Sequence, residues 1–153
     1  MVTPSKDYKS YLGDLEKLCE EYLVNKAPAL PANVKEAIVK FGPWISLILM
    51  LVSLPAILGL LGLGAALTPF SYLGGLNAGF SYTASIVFTI VVLVMQLIAL
   101  PGLFKRKLSG WKMMFYASLV EAVHNVVLFN LGGLIIGTLL SLYILFQVKK
   151  LYS

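Results

Sequence analysis

Glu121, His124 and Asn125 stand at positions i, i+3 and i+4, with Ser118 one turn earlier. On a helix that spacing gathers all four onto one side. Apart from Glu121, no Asp, Glu, Lys or Arg occurs from Met113 to Val148. A carboxyl in so apolar a setting has three chemistries open to it. It can hydrogen-bond to His124 and nearby hydroxyls as interhelical glue. It can pass protons with His124, since burial shifts a carboxyl and histidine titrates near neutrality. It can bind a metal, because Glu-x-x-His also occurs in di-iron helical bundles. Those bundles need two such motifs and two further carboxylates. The apolar tracts of this chain hold one motif and no second acid. Neither a metal nor a cofactor is therefore expected.

Catalytic signatures are missing as well. The chain has no Gly-x-Ser-x-Gly, no His-Glu-x-x-His and no phosphate-binding glycine loop. The single cysteine, Cys19, excludes an internal disulfide framework.

Composition says what must carry these residues. Of the 153 residues 59% are hydrophobic and 12% charged, against roughly 45–50% and 25% in soluble domains. Six acids and six bases lie in the first 40 positions, and none from Phe41 to Phe104. A membrane span takes about 20 apolar residues. The two uncharged tracts thus predict an all-α integral membrane protein with four transmembrane helices arranged as two helical hairpins. The expected spans are 43–67, 80–103, 110–129 and 134–148. A kink is expected at Pro55, and a long outer connection from Thr68 to Gly79.

Basic residues fall at one end of every span: Lys105, Arg106, Lys107 and Lys112 between the second and third, Lys149 and Lys150 after the fourth. The positive-inside rule puts that end, and both termini, in the cytoplasm of a multi-pass cell-membrane protein. These cations are topology anchors beside anionic lipid headgroups. The net charge of +5 therefore implies no nucleic-acid partner.

Residues 1–40 form a cytoplasmic N-terminal segment. An amphipathic helix is expected over 5–25, its apolar face made by Tyr8, Leu12, Leu15, Leu18 and Tyr22. Acids outnumber bases there by five to three, which suits packing on the spans or on a partner protein better than lying on an anionic membrane. Cys19 borders that face and reads as an inert helix cysteine rather than a palmitoylation site. The prolines at 28 and 31 break the helix, and a short helix follows over 32–41.

At ~1.5 Å per residue from Gly110, Glu121 lies ~16 Å deep, near the middle of a ~30 Å apolar core. The same count places Ser53, Thr89 and Thr138 near its level and Gln96 nearer the cytoplasm, level with Ser118, as a candidate polar seam. Gly133, Gly137 and Ser141 recur every four residues, the spacing of a helix-packing stripe that would serve either within the monomer or between copies in a homo-oligomer.

The expected function is a non-enzymatic accessory, assembly or scaffold subunit that docks through residues 5–25. The alternative is a small oligomeric proton-linked transporter using Glu121 and His124; a membrane enzyme comes third.

Overall fold

The computed structural model describes residues 8–153, except the side chains of Ser53, Leu60 and Ala65. The start of the expected N-terminal helix and the Ser53 hydroxyl therefore lie outside the described residues. All described elements are helical. Helix α1 (Tyr8–Glu20) runs on as a π-helical turn, Glu21–Lys26. Helix α2 is Ala32–Ser71, α3 is Leu76–Phe104 and α4 is Leu108–Val127. A π-helical segment, Gly133–Thr138, leads into α5, Leu139–Val148.

Two helical stretches, Leu76–Phe104 and Gly133–Leu151, are long and apolar enough to cross a membrane. The bent α2 makes a third if its arms, Ala32–Val52 and Leu54–Gly64, form one broken span. Helix α4 has the length of a span, but Lys112, Glu121, His124 and Asn125 dilute its apolar character.

Two boundaries differ from expectation. The helix expected over 32–41 does not stop at Gly42-Pro43; it is the beginning of the 40-residue α2. Val39 and Pro43 are buried against the bundle there, and that support outweighs the single backbone bond a proline removes. The 44° bend falls near Pro55 instead, the expected site of a kink. At ~1.5 Å per residue α2 is ~60 Å long, twice the apolar thickness of a bilayer, so it reaches well past any one crossing. The outer connection is also shorter than the expected Thr68–Gly79. Helix α2 runs to Ser71, and only a 3₁₀ turn (Tyr72–Gly74) and Gly75, with φ of 105°, separate it from α3. The Thr68 hydroxyl donates to the Gly64 carbonyl (2.9 Å) and that of Ser71 to the Thr68 carbonyl (2.6 Å). Each satisfies itself on the helix, so these polar residues continue it.

The α3–α4 hairpin is the closest backbone approach. A Cβ on Gly110 would lie 2.5 Å from the Leu103 nitrogen, and one on Gly102 would lie 2.7 Å from the Gly110 Cα. Only two glycines let the backbones meet there. Arg106, at the tip of this turn, has φ of 51°. It pairs with Glu36 of α2, and its carbonyl accepts from the Ser153 N–H at 2.9 Å. The Leu108 N–H donates back to the Ser153 carbonyl, also at 2.9 Å.

The densest packing lies at the lysine-rich end. Trp111, Phe115, Leu142 and Phe146 form a buried cluster. Phe146 meets both Trp111 and Phe115 edge-on, with ring centroids 5.1 and 5.4 Å away. The Trp111 indole donates to the Leu145 carbonyl at 2.7 Å.

Candidate functional site

The N-terminal segment docks on this cluster. Cys19, Leu23 and Val24 pack against it. The buried Gln147 amide donates to the Leu23 carbonyl at 2.8 Å, and its oxygen accepts from the Leu30 N–H at 3.2 Å. Tyr143 donates to the Pro28 carbonyl at 2.6 Å. The Lys149 ammonium lies between Glu16 (3.0 Å) and Glu20 (2.6 Å). Lys26 pairs with Glu21 at 3.1 Å and lies over the Tyr22 ring. The acids that dominate α1 are thus largely spent on lysines of the same chain.

Only part of the expected apolar face is used. Residues nearer Cys19 turn inward, while Tyr8, Leu15, Leu18 and Tyr22, joined by Tyr11, remain 44–67% exposed. Burial pushes the Cys19 thiol above its ordinary range, and the nearby Glu16 carboxylate adds to the effect. A thiol held neutral in this way is a poor nucleophile.

The polar residues of α4 separate into two groups. Seen down the helix, Glu121 lies between His124 on one side and Asn125 with Ser118 on the other, and the two sides meet different neighbours. His124 turns to α3: its Nε2 is 3.4 Å from the Ser85 hydroxyl, and its ring stacks on Phe88 with centroids 4.9 Å apart. Asn125 turns toward the π segment, reaching the buried Thr138 hydroxyl at 3.5 Å and accepting from Asn130 at 3.1 Å. Ser118 is buried and donates to the Met114 carbonyl at 3.1 Å.

Glu121, itself exposed, lines an open chamber of about 220 Å³ with Phe88, Thr89, Gln96 and His124, walled by Ile57, Val92 and Leu93. A second chamber of about 270 Å³ shares Ile57, Leu93 and Gln96 with it and extends to Ser46, Leu103 and Met114. Among the described residues no hydrogen bond or ion pair reaches Glu121, so the expected Glu121–His124 bond is not made. Thr89 does lie beside Glu121, as the depth count predicts. Thr138 instead belongs to the Asn125 group. No cluster of three or more His, Cys, Asp or Glu side chains suited to a metal occurs among the described residues.

The glycine stripe is divided too. Gly133 abuts Asn125 and Asn130, where a Cβ would fall 2.4 Å from the Asn125 amide oxygen. A Cβ on Gly137 would meet nothing within 4 Å, and Ser141 is exposed. The π-helical segment interposes one wider turn between Gly133 and the helix that follows. The three do not form one packed ridge.

Sequence reasoning did not single out Gln147, Tyr143 or the Gly102–Gly110 contact. Gln147 did carry a signal: it is a lone amide in the apolar run Leu139–Val148, and a buried amide must find partners. No protein-family model, no curated protein and no solved structure matches this chain.

Proposed function

We propose that the chain is a non-enzymatic accessory or assembly subunit of a cell membrane. It crosses four times, with both termini and the basic end in the cytoplasm. Helix α4 is the third of these crossings: it pairs along α3 through a hairpin closed on Gly102 and Gly110, and its His124 and Asn125 turn toward neighbouring elements. The observation that carries the reading is the two-sided α1. One side is clamped to the bundle by Gln147 and Lys149. The other presents Tyr8, Tyr11, Leu15, Leu18 and Tyr22. An exposed apolar patch rimmed by charge is the usual form of a protein contact surface, and its rigid mounting lowers the ordering cost of binding.

The test places a photo-crosslinker at Leu18 in native membranes. A defined partner should be captured, and Leu18→Glu should lose it while thermal stability and insertion stay unchanged. Loss of stability in Leu18→Glu, or no adduct, removes the docking role.

A second reading, a small proton-linked transporter working as an oligomer, is favoured by one observation: Glu121 and His124 face a chamber rather than each other. Proteoliposomes should then carry a pH-driven flux that Glu121→Gln abolishes. The absence of flux from wild-type vesicles leaves the subunit reading.

A further inference from the structure

Three cavities of the bundle lie end to end. The Glu121 chamber adjoins the one of about 270 Å³ at Ile57, Leu93 and Gln96. That one in turn meets a third, of about 220 Å³, at Ser46, Leu103 and Met114. Each of the three is lined from α2, α3 and α4, so the series follows one crevice between α2 and α4 with α3 along its side. At the lysine-rich end it reaches Ile38 and Gly42 of α2 and Tyr152 near the end of the chain. Those α2 residues precede the first expected span and Tyr152 follows the last. The crevice therefore opens outside the apolar core.

Its two necks are built alike. Gln96 stands with Ile57 and Leu93 at the inner one, and Ser46 with Leu103 and Met114 at the outer one. A polar group at a constriction gives a passing water a hydrogen-bond partner, where a wholly apolar one would expel it. Beyond the inner neck stands Glu121, which no hydrogen bond or ion pair reaches among the described residues. A carboxyl at the middle of a bilayer takes a protein partner or a water-filled cavity. Cavities of these sizes each have room for several waters, at ~30 Å³ apiece in the liquid.

We propose that the crevice between α2 and α4 is an aqueous inlet that brings water and protons from the basic end of the molecule to Glu121. Protons exchanged there pass between the carboxylate and hydronium ions of the inlet, an O–H bond forming at one as it breaks at the other. The inlet rests on the four-crossing reading above and gives the proton-linked one its side of entry. It does not require flux, since a subunit that transports nothing can still hold a hydrated carboxyl.

Silver ion is the probe, because it is water-sized, does not cross a bilayer and captures thiolates. Single cysteines are placed in a Cys19→Ser background at three positions. Gln96→Cys samples the inner neck. Val94→Cys, two residues away on the opposite side of α3, replaces a side chain that is 47% exposed. Lys107→Cys marks the basic side. Sealed vesicles of both orientations are treated in nitrate buffer, and the thiols left unreacted are counted with a maleimide. Gln96→Cys should react only from the side on which Lys107→Cys reacts. It should do so at least about tenfold faster than Val94→Cys, because only the thiolate reacts and it forms in water. Ser46→Trp, which fills the outer neck, should slow Gln96→Cys by a similar factor and leave Lys107→Cys unchanged.

Equal rates at Gln96→Cys and Val94→Cys overturn the proposal, as does reaction from the side opposite Lys107→Cys. An undiminished rate in Ser46→Trp also overturns it, since water would then arrive by another route. Should Gln96→Cys fail to insert, Leu93→Cys probes the same neck with the same expectations. Reaction at the neck in a protein without pH-driven flux keeps the inlet and removes transport; flux without reaction does the reverse.

Discussion

The lysine-rich end of the molecule and its opposite end are built by different rules. At the lysine-rich end Ala99, Leu100, Leu103, Trp111, Phe115, Phe146 and Val148 are all buried, and polar side chains bond across long sequence separations. At the far end Leu63, Leu73, Leu76, Phe129 and Ile136 are 70–88% exposed. There, several side-chain hydrogen bonds stay within a turn of helix, as between Thr83 and the Gly79 carbonyl or Ser85 and the Ser81 carbonyl. Those between elements are long, as between His124 and Ser85 at 3.4 Å and from Asn125 to Thr138 at 3.5 Å. One end is held as a soluble protein is, by burying apolar surface and satisfying buried polar groups. The other leaves its leucines to an apolar solvent and lets each helix satisfy its own backbone. Stability should therefore be concentrated at one end.

The largest effect that tests this contrast is at Trp111. Trp111→Ala removes a wholly buried ring, its contacts with Phe115 and Phe146 and its bond to Leu145, and should cost about 3–5 kcal/mol. Leu63→Ala, made in an exposed side chain of the far end, should change stability by less than about 0.5 kcal/mol. Thermal unfolding in detergent measures both. Equal losses would mean that the two ends are held alike.

The same contrast can be drawn with glycines alone. Gly110→Ala drives a methyl into the α3 backbone and should cost about 1–3 kcal/mol as overpacking. At Gly137 the added methyl meets nothing, and alanine's better helix propensity should leave stability unchanged or raise it by up to ~1 kcal/mol. If Gly137→Ala is the more harmful, its open face is a contact surface, and the small-residue stripe acts between copies.

Much of this division could be read in the sequence, though not its details. Helical character, apolar tracts and the clustering of cations follow from composition and period, because a bilayer enforces helix wherever the chain is apolar for long enough. The kink near Pro55 and the nearness of Thr89 to Glu121 follow from local rules and arithmetic. The seam nevertheless divides, because helix rotation decides which neighbour each α4 residue meets. A few tens of degrees send His124 to Ser85 and Asn125 to Thr138. Gly42-Pro43 looks like a helix break, but tertiary burial of Val39 and Pro43 carries the helix through. The use of only part of the α1 apolar face depends on Gln147, more than a hundred residues away, and no local pattern encodes that.

Gln147 tests whether the N-terminal segment belongs to the packed end. Gln147→Leu keeps the volume but leaves the Leu23 carbonyl and Leu30 N–H without their partner. Unsatisfied buried groups cost about 1–3 kcal/mol, and that loss should be local. Hydrogen exchange should quicken across residues 20–30 while α3 and α4 keep their protection. Uniform quickening would make the segment one cooperative unit with the bundle; no change would mean that Lys149 with Glu16 and Glu20 suffices to hold it.

A small effect is also expected at Glu121, and its size carries the information. The residue lines a chamber and makes no hydrogen bond among the described residues, so Glu121→Gln removes no native contact and keeps the shape. A change of at most ~0.6 kcal/mol is expected, the average for hydrogen bonds between membrane helices. A loss well beyond that would mean the carboxyl is glue after all, with a partner formed only in the membrane. Comparing thermal stability from about pH 5 to pH 9 separates the remaining possibilities. An amide cannot exchange its charge, so any contribution from titration of the carboxyl disappears in the variant. Parallel curves for the two proteins would leave no titration at this site in that range and would count against proton-linked transport. Curves that diverge with pH would show that the chamber feels the charge of Glu121. The same comparison with His124→Ala would then test whether the ring shares in that dependence: an unchanged curve assigns it to Glu121 alone, and a displaced one to the two side chains together.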